Sequence, residues 1–227
     1  MIPRARPIIA IIDMGMGNLF SVVQACKTAS LDPIVTRSER EISSADALLL
    51  PGVGAFGRAM EFLNMSGLDE HLREAVRTGT PLVGICLGMQ ILMQRSSEHG
   101  DFQGLGILPG EVLRLQPAQI MGRVLKVPEI GWNQVFRCGN SAQDSWAHTP
   151  LQGLPNGFFQ YFNHSYHIQL TAREMCIATT QFGSSSFCSA CSYRNIIGLQ
   201  FHPERSGRWG IQIYRNLATW IAEAGKR

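Results

Sequence analysis

The stretch Pro81-Leu82-Val83-Gly84-Ile85-Cys86-Leu87-Gly88-Met89-Gln90 decides the fold. An apolar run of strand length, Pro81–Ile85, ends on Cys86, a helix leads out, and Gly84 and Gly88 flank the cysteine at two residues' distance on either side. A strand–turn–helix with G-x-C-x-G spacing is a nucleophile elbow. The flanking residues must be small because the central one is held in a strained conformation. Such a turn lifts the sulfur above the sheet edge and aims it at the start of the following helix. There the helix dipole and any nearby imidazolium favour thiolate over thiol. The backbone N–H of Leu87 then becomes an oxyanion donor. A buried cysteine in a glycine-rich turn is the plainer alternative, and only a matching base decides between the two.

Working outward, the first half alternates strands and helices. Ile8–Asp13, Ile34–Thr36 and Ala47–Leu50 are short apolar strands, and Asn18 can cap a helix running toward Ser30. Leu68, Leu72 and Val76 recur at helical spacing, with Gly79 as a stop. Apolar strands without alternation, separated by helices, predict a mostly parallel sheet covered on both faces. From about Gly106 the texture changes to short β-branched or aromatic stretches: Val112–Leu115, Val124–Val127, Phe158–Tyr161, Cys176–Thr180 and Ile196–Phe201. These read as added antiparallel strands. Trp209–Glu223 carries Ile213, Leu217 and Trp220 at helical spacing and closes the domain, while the polar Cys138–Asn156 reads as a surface loop. The expectation is a single α/β domain over residues 1–227, with a mostly parallel central sheet flanked by helices.

The candidate base lies in Gln200-Phe201-His202-Pro203-Glu204, at the end of a strand. His202 and Glu204 are two apart, so an extended chain points both to one face. Pro203 between them offers no competing N–H. A Cys–His–carboxylate triad follows if the fold brings this end to Cys86. Pro51–Gly57, just after the third strand, contains Gly52, Gly54 and Gly57 in G-x-G-x-x-G order. That pattern would suit a nucleotide-binding module. Against it, the loop follows the third strand, Pro51 opens it, and no strand with a terminal acid follows about 20 positions on. A glycine-rich loop also serves where backbone N–H groups must approach, or flip toward, a developing oxyanion.

Composition bounds the partners. Of 227 residues, 45% are hydrophobic and 16% charged, which excludes intrinsic disorder. A net charge of +3 is too small to argue for nucleic acid or an anionic membrane. Asp13 ends the apolar run Ile8–Ile12 before it reaches signal-peptide length, so a soluble, cytoplasmic protein is expected. Most of the six cysteines read as buried small hydrophobes in a reducing compartment. Cys188-Ser-Ala-Cys191 is a C-x-x-C pair within a strand, where residues three apart point to opposite faces. No second pair at zinc spacing accompanies it. No metal or organic cofactor is implied.

Pro51–Gly54, Gly84–Gln90 and His202–Glu204 resemble the signatures of class I, triad-type glutamine amidotransferases. Asp13–Asn18, Val127–Asn133, His164–Tyr166 and Gln200–Ser206 narrow the resemblance to the glutaminase subunits of imidazole glycerol phosphate synthases. It is collinear from about residue 8 to 217 and implies the class I glutamine amidotransferase fold. By resemblance, Cys86 would be the nucleophile, His202 the base and acid, and Glu204 the orienting carboxylate. Val53 and Leu87 would supply oxyanion-hole N–H groups. Gly52, Gly54, Gln90, Glu98, Ser165 and Tyr166 would line the glutamine site. Asn18, Trp132, Asn133, Tyr161 and Arg205 would face a (β/α)8-barrel cyclase subunit in a 1:1 heterodimer making imidazole glycerol phosphate and AICAR. The chain departs from the family at Arg205, where lysine is frequent, at Asn163, usually apolar, and at Glu129, often histidine. These positions leave open a paralogous glutaminase feeding a synthase that amidates a surface-polysaccharide sugar.

Overall fold

A computed structural model describes residues 6–120, 123–138 and 145–224. In chain order the first half is β1 (Ile8–Ile12), α1 (Leu19–Thr28), β2 (Asp32–Thr36), α2 (Glu39–Ser44), β3 (Ala47–Leu50), α3 (Phe56–Ser66), α4 (Leu68–Arg77), β4 (Leu82–Ile85) and α5 (Leu87–Gln90). Then come the two-residue strands β5 (Arg95–Ser96) and β6 (Phe102–Gln103), β7 (Gly110–Arg114), and the small pair β8 (Gln119–Ile120) and β9 (Arg123–Val124). The chain continues through β10 (Glu129–Arg137), β11 (Phe158–His164), β12 (Tyr166–Leu170), β13 (Cys176–Phe182), β14 (Ser185–Tyr193), β15 (Ile196–Leu199) and α6 (Gly207–Ala224).

The main sheet has nine strands in the order β11-β10-β13-β14-β15-β4-β3-β1-β2. Strands β2, β1, β3, β4 and β15 run parallel, and β14, β13, β10 and β11 extend the sheet antiparallel. β1, β3, β4 and β15 are buried on both faces, which explains their unbroken apolar runs, while β2 at the edge is half-exposed. Ile9 and Ile11 pack with Val22 and Cys26 of α1 and with Ile213, Tyr214 and Leu217 of α6. Ala10 and Ile12 face the other way, onto Phe56, Ala59 and Leu63 of α3 and Leu68 and Leu72 of α4. A second sheet, β12-β7-β5-β6, lies beyond α5.

The expected α/β architecture is present, with four differences. Helix α3 begins at Phe56, inside the stretch read as a glycine-rich loop. Phe56, Ala59, Met60 and Leu63 are its buried stripe. The expected strand Val124–Val127 shrinks to the β8–β9 pair, and the long strand is instead β10. Within Cys138–Asn156, the described residues 145–156 do not form a plain surface loop. Trp146, Leu151 and Leu154 are buried, and the Trp146 ring N–H donates to the Ile177 carbonyl at 2.9 Å. Residues 139–144 of that segment lie outside the described residues.

The last difference concerns Cys188 and Cys191. The pairing steps from Ala178↔Ala190 to Thr179↔Cys188, so Ser189 is skipped. That extra residue is a β-bulge, and it turns two side chains three apart onto one face. Both cysteines pack against the α3/α4 side of the sheet, while Phe187 and Ala190 face α1 and α6. Burial pushes the Cys191 thiol up to about 12. Hydrogen bonds from Cys188 and Cys138 pull the Cys176 thiol the other way.

Candidate active site

Cys86 sits on the turn between β4 and α5 with φ +53° and ψ −109°. This is a strained backbone for a residue with a side chain, held by packing around it. A Cβ at Gly88 would lie 1.8 Å from the Leu50 carbonyl oxygen, and one at Gly84 would lie 2.7 Å from the Gly88 oxygen. Only glycine lets β3, β4 and α5 approach this closely. The Cys86 N–H donates to Leu199 O at 2.7 Å, which ties the turn to β15.

The same strand delivers the base. β15 ends at Leu199, not at Phe201, and Pro203–Arg205 forms one 3-10 turn. His202 and Glu204 therefore meet across a turn and not along an extended strand. His202 Nδ1 and Glu204 Oε1 are 2.8 Å apart, with both side chains buried. The backbone is pinned on each side: His202 N–H donates to Tyr161 O at 2.9 Å, and Ser206 Oγ donates to His202 O at 2.6 Å. Burial opposes charge on the His202 imidazole. The charge of the Cys86 sulfur, and then Glu204, outweigh that and raise the pKa from 6.5 to about 10. A protonated imidazole suits a group that must first act as an acid.

Opposite the sulfur lies Pro51–Gly54. The Gly52 carbonyl accepts the Leu87 N–H at 3.4 Å. A trans peptide is planar with its C=O and N–H antiparallel, so the Val53 N–H points away from Leu87. Of the two N–H groups expected to form an oxyanion hole, that of Leu87 is thus occupied and that of Val53 is turned out. The loop is lightly held: Val53 is 40% exposed, and Gly54 has φ +129°.

The other expected positions divide into two groups. Gln90 is buried beside the elbow, and its Nε2 donates to Tyr166 O at 2.8 Å and to Gln200 Oε1 at 3.1 Å. Glu98 Oε2 accepts the Phe56 N–H at 2.6 Å, supplying the cap that Ala55 cannot give α3. Ser165 O accepts the Leu115 N–H at 2.8 Å. Of these, Gln90 is the one tied to Cys86, through Gln200, and it also holds the Tyr166 backbone. Asn18 caps α1, its Oδ1 accepting the Ser21 N–H at 3.2 Å. Arg205 lies 4.4 Å over the Tyr161 ring, which meets Trp132 edge-on at 6.3 Å. Asn133 turns its amide inward, donating to Glu129 Oε1 and to Gln181 O, each at 2.7 Å. Asn18 and Arg205 also line a cavity of about 30 Å³ that reaches Gly52, Val53, Asn163 and His202.

Two features escaped the sequence reading. Gln200 is fully buried and places Nε2 3.6 Å from Cys86 Sγ. Its signal was its spacing, two residues before His202. Glu129 and His164 are register partners on β10 and β11, with Oε2 and Nε2 3.3 Å apart and both side chains buried. Only the strand pairing reveals that contact.

A model of the "Glutamine amidotransferase class-I" family matches residues 10–218. The chain is 43% identical to imidazole glycerol phosphate synthase subunit HisH of Moorella thermoacetica, covering 97% of this chain and 98% of that one. It is 41% identical to the subunit of the same name from Chlorobaculum tepidum, over 92% and 98%. Among solved structures, PurLQS from Thermotoga maritima superposes with a TM-score of 0.66 at 14% identity, over 95% of this chain and 99% of that one. A structure described as a glutamine amidotransferase gives 0.68 at 18% identity, over 96% and 98%. At those identities the structures speak for the fold, while the family model and the HisH relatives cover nearly the whole sequence. The chain belongs to the class I glutamine amidotransferase family.

Proposed function

We propose that this chain is the glutaminase subunit of an imidazole glycerol phosphate synthase, working as one domain through Cys86, His202 and Glu204. The single observation carrying the triad is the 2.8 Å His202–Glu204 contact, buried next to a cysteine held at positive φ. The Cys86 thiolate attacks the side-chain amide carbon of glutamine. His202 protonates the departing nitrogen, ammonia leaves, and a glutamyl thioester remains. His202 then takes a proton from water, which attacks the thioester and releases glutamate. Glu204 holds the imidazole and stabilises its charged form. Leu87 and Val53 N–H groups hold the oxyanion once the Gly52–Val53 peptide has turned over. No step calls on a metal or organic cofactor.

Ammonia needs an acceptor, and the partner face supports one. Ile130, Trp132 and Phe159 on the β10–β11 hairpin are exposed apolar side chains, with Tyr161 and Arg205 beside them. Contiguous exposed apolar surface marks docking sites. The names of the relatives, each a synthase subunit, support a partner subunit there, which in this reading is a (β/α)8-barrel cyclase in a 1:1 heterodimer. Among the described residues no helix is long and apolar enough to cross a membrane, and a cytoplasmic site of action fits the reading.

The test supplies amide-¹⁵N glutamine to the chain with a cyclase subunit and its ribonucleotide substrate. The expected result is ¹⁵N in the imidazole ring of the product. Transfer only to a sugar, with a sugar-amidating synthase, would move the protein to that pathway and leave the glutaminase intact.

A further inference from the structure

The orientation of the buried amides around Cys86 is dictated by one group that cannot donate. A backbone carbonyl only accepts, so the Gln90 atom 2.8 Å from Tyr166 O must be the amide nitrogen. That same nitrogen lies 3.1 Å from the Gln200 side chain and turns its second hydrogen there. The Gln200 atom it meets must therefore be the oxygen. Gln200 is then left with its NH₂ group facing Cys86 Sγ at 3.6 Å. With Gln200 fully buried and Gln90 nearly so, no bulk water competes for these groups. The fixed acceptor thus sets the direction of the whole chain of amides, Tyr166 to Gln90 to Gln200 to sulfur.

From this geometry we infer that Gln200 is a further catalytic residue, an amide donor that holds the Cys86 sulfur as thiolate. The inference rests on Cys86 being the nucleophile. A neutral Cys86 thiol has Asn163 O as an acceptor 3.9 Å away, and ionisation removes that contact. The Gln200 N–H gains on ionisation, because hydrogen bonds to a charged acceptor are stronger than neutral ones. His202 cannot fill this role throughout, since it gives its proton to the leaving ammonia. At that moment, and again when the thioester sulfur is expelled, the Gln200 N–H still faces the sulfur. Gln90, expected at the glutamine site, acts on the nucleophile as well, by fixing which way Gln200 points.

The test is the pH dependence of iodoacetamide alkylation at Cys86, followed by the mass of its peptide in the full chain. Gln200→Met keeps the volume and removes the donor without adding charge. The alkylation midpoint should rise by about one pH unit, a tenfold loss of thiolate at a given pH. Glutaminase kcat/KM should fall most at low pH and recover as pH rises, with KM little changed. A midpoint that does not move, with activity lost evenly at every pH, would reduce Gln200 to a packing residue and overturn the proposal. Should Gln200→Met fail to fold, the unsubstituted chain carries the test. The side-chain ¹H–¹⁵N resonance of Gln200 should shift when Cys86 is alkylated, and an unmoved resonance contradicts the contact. Failure of the nucleophile reading is seen separately, as turnover surviving Cys86→Ala.

Discussion

The two glycine-containing turns that flank the reaction centre are built on opposite principles. At the elbow, glycine is required by crowding: Gly84 and Gly88 lie so close to their neighbours that any Cβ collides with backbone. At Pro51–Gly54 the crowding ends with Gly52, where a Cβ would lie 2.9 Å from Leu87 Cβ: beyond it Val53 is exposed, and a Cβ on Gly54 would meet only the Met16 sulfur at 3.1 Å. The first turn fixes Cys86, the proposed nucleophile, in its strained conformation. The second leaves the proposed oxyanion hole unassembled, with the Gly52 carbonyl accepting the Leu87 N–H. In the proposed mechanism, then, the nucleophile is prebuilt and the hole is conditional.

The sharpest way to break this contrast is to place one methyl group at the crowded turn. Gly88→Ala should destabilise the chain by more than about 4 kcal/mol, because the added carbon would sit 1.8 Å from Leu50 O. Urea unfolding of the purified variant, or its failure to accumulate in soluble form, checks this. A near-native midpoint would show the elbow to be far more yielding than its geometry implies. Cys86→Ala is the complement. It should keep the fold, since alanine is smaller than the cysteine it replaces, and lower glutamate release by at least about 10⁴-fold.

Glu204→Gln sharpens the comparison within the rigid half. The amide can still occupy the buried site but cannot stabilise an imidazolium. We expect kcat to fall by about 10³-fold with KM within a few-fold, as for an orienting acid. Paired measurements of kcat and KM decide it: a raised KM at unchanged kcat would make Glu204 a binding residue.

Much of the rigid half was legible in the sequence, and the reasons are local. The elbow shows itself because Gly84, Cys86 and Gly88 must occur at fixed spacing within one strand–helix turn. The His202–Glu204 pair shows itself because Pro203 separates two polar residues at a strand end. Even there the local geometry differs, since a 3-10 turn and not a strand presents Glu204 to His202. Features made by pairing were not legible. The bulge at Ser189 depends on how β13 and β14 align, and it reversed the expected facing of Cys188 and Cys191. The inward turn of Asn133 depends on Glu129 and Gln181, one of them on another strand. Helix α3 was hidden because Phe56 and Gly57 were absorbed into the glycine pattern before them.

A smaller effect should appear in stability against pH. His202 has an ordinary pKa of 6.5 and a folded value of about 10. A raised folded pKa stabilises the protonated state, so this contribution is complete below 6.5 and is lost as pH climbs through 10. The thermal midpoint should decline across that window. In Cys86→Ala, which lacks the sulfur charge that does most to raise the value, the decline should shrink. An identical pH profile in both chains would mean that the sulfur does not set the His202 charge.

The most direct measurement is the rate of glutamate release by the chain alone, with the cyclase subunit, and with that subunit plus its ribonucleotide substrate. If the Gly52 carbonyl occupies the oxyanion site at rest, the lone chain works with at most one donor. One missing donor costs about 10²–10³ in rate. Turnover should therefore rise by about that factor when the liganded partner turns the Gly52–Val53 peptide. Equal rates in all three samples would contradict a conditional oxyanion hole.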